Sequence, residues 1–140
     1  MFVQPYVFFD GRCEEAMAFY GQALGAEVTT TMRYSESPDS QVKVNMLPGT
    51  ENKIMHANVK IRDTQIMMSD GRCEGGPKFE GFALTLNATN AADAEKLYSV
   101  LGEGGTPHAP MTETFFADRF GMMTDKFGVL WIIMAVKKQK

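Results

Sequence analysis

The spacing of apolar residues along the chain changes several times, and each change marks a new element. FVQPYVFF (2–9) is β-branched and aromatic and predicts a strand. After DGR comes CEEAMAFYGQALG, in which Ala16, Phe19, Tyr20, Ala23 and Leu24 share one helical face and Gly25 stops the helix. AEVTTTMRY (26–34) predicts a second strand, SESPDSQ a polar loop, and VKVNMLPGTEN either a strand or an ordered loop. IMHANVKI (54–61) alternates, and Arg62-Asp63 turns it into TQIMMSD (64–70) as a hairpin. GRCEGGPK (71–78), with three glycines and a proline, reads as a linker.

The same order then restarts. GFALTLNA (81–88) predicts a strand, and NAADAEKLYSVLGEGG (90–105) a helix with Asn90 as N-cap and a glycine-rich stop. Strands follow near 107–116, in RFGMMTD and in GVLWIIMAV, the last two joined at Asp125-Lys126-Phe127-Gly128. Gly128 supplies the positive φ such a turn needs, and the turn's charges are expected in water. The chain thus reads as a duplication of topology: one α+β domain, 1–140, built of two tandem βαβββ modules, 1–70 and 79–137, joined by 71–78.

Composition narrows the function. The 140 residues are 44% hydrophobic and 22% charged, as in an ordinary globular protein. A net charge of −3, without a dense Lys/Arg run before the final KKQK, argues against nucleic acid as a partner. The longest apolar run, VLWIIMAV, is too short to cross a bilayer, and the N-terminal stretch lacks signal-peptide features; a cytoplasmic protein is expected. Two cysteines, 60 residues apart, form neither a disulfide framework nor a zinc pattern. Eleven methionines offer either core filling or an adaptable lining for a flat or flexible apolar ligand.

DGRCE occurs at 10–14 and again at 70–74. Both copies read as strand ends where Asp-Gly turns the chain. The sharper alternative makes Cys13 a catalytic thiol, since a helix N-terminus lowers a thiol's pKa; Cys73 is placed in a flexible loop. Glu113 and Asp118 flank a Phe-Phe pair. Glu113 is a candidate general acid or base, and a salt bridge from either carboxylate to Arg119 is the competing reading.

PYVFFDGRCEEAMAFYGQALGAE, HANVKIRDTQIMMSD and ETFFADRFGMMTDKFGVLWII resemble the PhnB-like branch of the vicinal oxygen chelate superfamily, whose members include glyoxalase I, bleomycin-resistance proteins and extradiol dioxygenases. The branch also carries the label 3-demethylubiquinone-9 3-methyltransferase-like. The resemblance covers almost the whole chain, and GxxTDKFGVxW is its most specific part. It implies two curved mixed sheets whose concave faces enclose a cavity, commonly in a homodimer. Alternation agrees with such a face: Gln4, Tyr6 and Phe8 point one way on the first strand, His56, Asn58 and Lys60 on the third, and Gln65, Met67 and Ser69 on the fourth. Met55, Ala57, Val59 and Ile61 are expected against the helix. Leu130, Ile132 and Met134 are expected to face the cavity, with Trp131 structural.

The superfamily's metal positions fall near Gln4, Gln65 or Met67, Gly81 and Ile132. Glycine and isoleucine cannot replace a divalent ion's water shell, so no metal or cofactor is expected. The alternative is a divalent ion on a non-standard set built on His56 and Glu113; with only two histidines, His56 and His108, a two-histidine site would need both. S-adenosylmethionine chemistry asks for a strand running into a glycine-rich loop, and GEGG (102–105) instead follows a helix. The expected function is metal-free binding of a small organic molecule by Gln4, Tyr6, Phe8, His56, Asn58, Met67, Ser69 and Asp118. A metal-dependent glyoxalase-, dioxygenase- or isomerase-type enzyme and a scaffold with a vestigial cavity are the alternatives.

Overall fold

The computed structural model describes residues 1–38, 48–71 and 77–137. Contacts divide the chain into two compact units, Met1–Pro77 and Lys78–Lys140, a boundary inside the expected 71–78 stretch. VKVNML (42–47), in the segment read as strand or ordered loop, lies outside the described residues, as does the second RCE with Cys73.

The first unit runs β1 (Tyr6–Phe8), α1 (Cys13–Leu24), β2 (Glu27–Arg33), β3 (Ile54–Ile61) and β4 (Thr64–Ser69). The sheet order is β1-β4-β3-β2, with β1 parallel to β4 and the other pairs antiparallel. The second unit repeats this with β5 (Leu84–Asn87), α2 (Ala91–Leu101), β6 (Thr106–Thr112), β7 (Ala117–Thr124) and β8 (Leu130–Val136), in the order β5-β8-β7-β6 with β5 parallel to β8. Each unit is therefore a βαβββ module with a mixed four-stranded sheet and one helix. Among the described residues, no helix is long and apolar enough to cross a membrane.

Local chemistry sets the element ends. β1 is shorter than its apolar run because Asp10 and Gly11 take left-handed backbone (φ 52° and 106°) directly after Phe9. Helix α1 buries Cys13, Ala16, Met17, Phe19, Tyr20 and Leu24, packs on β3, and ends at Gly25 with φ 69°. Asn90 caps α2 by accepting from Asp93 N (2.8 Å), while the Asp93 carboxylate accepts from Thr89 N (3.0 Å). The helix then buries Ala94, Leu97 and Leu101 against β7 and β8.

On β3, Ala57, Val59 and Ile61 are buried as expected, but Ile54 rather than Met55 joins them. The register between β2 and β3 shifts at Met32/Arg33, so the alternation slips at that end of the strand. The β7–β8 turn corrects a second expectation. Lys126 is exposed, but Asp125 is only 2% exposed. Its carboxylate accepts from Phe127 N (2.9 Å), Val129 N (3.1 Å) and Trp131 Nε1 (2.8 Å). A buried indole N–H needs an acceptor, and this turn supplies one. Trp131 is core.

Candidate functional site: the open face of the first sheet

In the first unit α1 covers one face of the sheet. The side chains of the other face follow from register: Tyr6 pairs with Met67 and Met67 with Asn58, giving one row across β1, β4 and β3. Val7, between Tyr6 and Phe8, is 3% exposed, whereas Tyr6 and Phe8 are 36% and 55% exposed. Two aromatic rings therefore stand on the open side. They stack with centroids 4.7 Å apart. The Tyr6 hydroxyl lies 3.1 Å from His56 Nδ1, and the two rings are tilted at 5.6 Å. Asn58 Nδ2 donates to Thr30 Oγ1 on β2 (3.2 Å). Sequence-predicted Tyr6, Phe8, His56, Asn58 and Met67 thus come together on one surface, with half-buried Gln4 just before β1. Ser69 does not present its hydroxyl there. It is 2% exposed and its Oγ accepts from Gly71 N (3.2 Å).

At the end of this sheet the two Asp-Gly turns meet, because parallel β1 and β4 bring their C-terminal ends side by side. Asp70 is 1% exposed and its carboxylate accepts from Gly11 N (2.9 Å), Cys13 N (2.8 Å) and Ile54 N (2.7 Å). It takes the place of an N-cap for α1, where Arg12 makes no side-chain cap. This overturns the expectation for Cys13. Burial, reinforced by the Asp70 carboxylate, pushes its thiol from 9.0 up to about 12. A fully buried, protonated thiol is no nucleophile at neutral pH.

Beside this junction lies a polar cleft of about 170 Å³ that sequence reasoning missed, lined by Glu14, Arg33, Asn52, Lys53 and Asp70 among others. Its ions are engaged internally. Arg33 Nη2 meets Glu14 Oε2 at 2.6 Å, holding the Glu14 carboxyl below its usual range, and Lys53 Nζ donates to the Gly11 carbonyl (2.9 Å). The repeated DGR was the available signal, since it marks the turns that form this corner.

Glu113 and Asp118 belong to the second unit. Glu113 is exposed and faces Lys137 Nζ at 3.7 Å. Arg119 pairs with neither expected carboxylate: its Nε donates to Glu95 Oε1 on α2 (3.0 Å) and its Nη1 to the Asp118 carbonyl (2.8 Å). Phe115 is 91% exposed beside Phe116, in a turn held by the Thr114 hydroxyl, which accepts from Phe116 N and Ala117 N. His108 is exposed and bonds through Nε2 with Thr124 Oγ1 (2.6 Å). Ile132 pairs in register with Thr85 and Met122, with Phe120 and Met134 in the next row, so this sheet's open face is largely apolar.

At the positions that the resemblance assigns to a metal, the residues present do not fit one. Ile132 and Gly81 offer no side-chain donor, and Gln4 and Gln65 offer only neutral amides. Among the described residues, no three His, Cys, Asp or Glu side chains come together to hold a metal ion.

Comparison with known proteins agrees with this architecture. Residues 2–134 match the model of the family described as 3-demethylubiquinone-9 3-methyltransferase. Protein YjdN of Escherichia coli K12 is 37% identical over 98% of this chain and 97% of its own. The crystal structure of PA1353 from Pseudomonas aeruginosa superposes with a TM-score of 0.85 at 32% identity, covering 99% of each chain. A glyoxylase/bleomycin resistance protein/dioxygenase domain from Frankia sp. shares the fold, with a TM-score of 0.61 at 15% identity over 100% of this chain and 95% of its own. A duplicated βαβββ module and a match to the family's model along nearly the full chain make this protein a member of the 3-demethylubiquinone-9 3-methyltransferase family, with a fold shared by a glyoxylase/bleomycin resistance protein/dioxygenase domain.

Proposed function

We propose that the protein binds a small, flat organic molecule on the open face of its first sheet, without a metal, and works as a cytoplasmic homodimer. The observation that carries this reading is the Tyr6–Phe8 ring pair, standing exposed beside His56, Asn58 and Met67. Two stacked rings give an apolar platform, a methionine gives an adaptable neighbour, and a histidine and an amide add a few polar groups to orient a ligand. The methyltransferase description of the family is not adopted for this chain. Its strand-to-helix connections contain one glycine after β1 and none after β5, where a phosphate- or nucleoside-cradling loop would need several.

The test is an amide NMR screen of small planar aromatics against the wild type and Phe8→Ala. Shifts clustering at residues 6, 8, 56, 58 and 67, and lost in Phe8→Ala, support the proposal. Shifts confined to the cleft around Arg33 and Lys53 would move the site there and sink it. The second reading, a metal enzyme using His56 and Glu113, is tested by metal content after incubation with zinc, nickel, iron(II) and manganese. Near-stoichiometric metal, lost in His56→Ala, would establish it.

A further inference from the structure

We infer that Tyr6 fixes the tautomer of His56, leaving Nε2–H as an outward hydrogen-bond donor, so that this face selects planar aromatic ligands carrying an oxygen acceptor on the ring. The inference rests on the proposal that the face binds a small organic molecule.

Tyr6 hydroxyl and His56 Nδ1 are 3.1 Å apart, and either could donate. Chemistry decides. A phenol O–H is the better donor and an imidazole nitrogen the better acceptor, because the phenol oxygen's lone pair is delocalised into its ring. With O–H donating to Nδ1, the neutral imidazole carries its proton on Nε2. Tyr6 is the hydrogen-bond partner of His56 among the described residues, and its Nε2 has none. No fully buried side-chain nitrogen or oxygen among them lacks a partner, so Nε2 is reachable from outside. Asn58 Nδ2 spends one of its two N–H groups on Thr30 Oγ1 and keeps the other. A ring lying on Phe8 and Tyr6 therefore meets the His56 Nε2–H donor, and a phenolate or aryl carbonyl oxygen satisfies it. An aromatic hydrocarbon gains only the stacking.

Two measurements test this under conditions where the histidine ring is neutral. Long-range nitrogen–proton correlation should show His56 as the Nε2–H tautomer in the wild type and as a mixture in Tyr6→Phe, which keeps the ring and loses the hydroxyl. In an NMR titration, 4-nitrophenol should bind about tenfold more weakly to His56→Phe and at most about twofold more weakly to Tyr6→Phe, where the ligand can draw the imidazole back to its Nε2–H form, whereas toluene should bind all three alike. An Nδ1–H tautomer in the wild type overturns the inference, as does undiminished 4-nitrophenol binding by His56→Phe; in both cases the binding proposal stands. If neither probe binds the wild type or shifts the amides of residues 6 and 8, the binding proposal falls and the ligand class with it.

Discussion

The Tyr6 hydroxyl reaches His56 Nδ1 at 3.1 Å although strand β4 runs between the strands that carry them. Neighbouring strands lie about 4.8 Å apart, so the tyrosine must cross roughly two strand spacings with the histidine leaning to meet it. β4 residues on that side lie under the crossing, in keeping with the burial of Ser69. Tyr6→Phe removes one exposed hydrogen bond and should cost at most about 1 kcal/mol. Tyr6→Ala also loses the stack on Phe8 and should cost about 1 kcal/mol more. Urea unfolding of the two variants separates these contributions; equal midpoints would mean that the ring contributes nothing.

Asp125 is the acceptor for the only tryptophan in the chain. Asp125→Ala leaves Trp131 Nε1–H and two turn amides without this acceptor in a buried corner, a loss on the order of 3 kcal/mol. Asp125→Asn keeps one oxygen but turns an amide N–H toward one of the donors, so it should fall between wild type and alanine. Trp131 fluorescence during denaturation reports this at the site itself.

The Cys13 thiol predicts both reactivity and pH dependence. In a Cys73→Ser background, Ellman's reagent should find no reactive thiol in the native protein at pH 8 and one per chain in urea. Because the folded pKa is raised from 9.0 to about 12, the folded protein holds this proton where the unfolded chain has released it. Its contribution is complete below pH 9 and is lost as pH rises toward 12, at up to about 1.4 kcal/mol per pH unit. The stability difference between wild type and Cys13→Ala should shift in favour of alanine across that window. A pH-independent difference would mean that the thiol titrates normally.

Gly121 sits where β7 passes under α2. A Cβ there would come within 2.7 Å of Met111 Cε and 2.9 Å of Tyr98 Cε2. The methionine tip can move, but Tyr98 is held by its hydroxyl, which donates to the Ala109 carbonyl (3.2 Å). Gly121→Ala should therefore cost about 1–3 kcal/mol by overpacking, readable as a lower thermal midpoint. An unchanged midpoint would mean that the tyrosine shifts freely.

Element order was legible because helix and strand periods are local properties of ten or so residues. The open face was legible for the same reason: alternation alone puts Tyr6 and Phe8, or His56 and Asn58, on one side. Their meeting was not, since it depends on the order β1-β4-β3, which no single strand encodes. The misreadings share this origin. Cys13 obeys the helix N-terminus rule only until Asp70, 57 residues away, takes its amide and burial outweighs the dipole. Arg119 finds Glu95 on α2, 24 residues upstream, rather than the carboxylates beside it in sequence. Asp125 was the recoverable case, because a tryptophan six residues later asks for an acceptor.

Asp70 and Asp125 do similar work on opposite kinetic terms. The partners of Asp125 lie two, four and six residues ahead, so its bonds can close as soon as the β7–β8 hairpin does, within microseconds. Those of Asp70 lie 16, 57 and 59 residues behind it, in β3, the helix start and the first turn. Its bond from Ile54 N can close with the β3–β4 hairpin, but those from Cys13 N and Gly11 N wait until the helix start and the first turn arrive, and loop-closure entropy delays that step. Substitution at Asp125 should slow folding, and substitution at Asp70 should chiefly speed unfolding. The second Asp-Gly turn thus makes Asp70 a latch that is fully engaged only when both ends of the first unit have met.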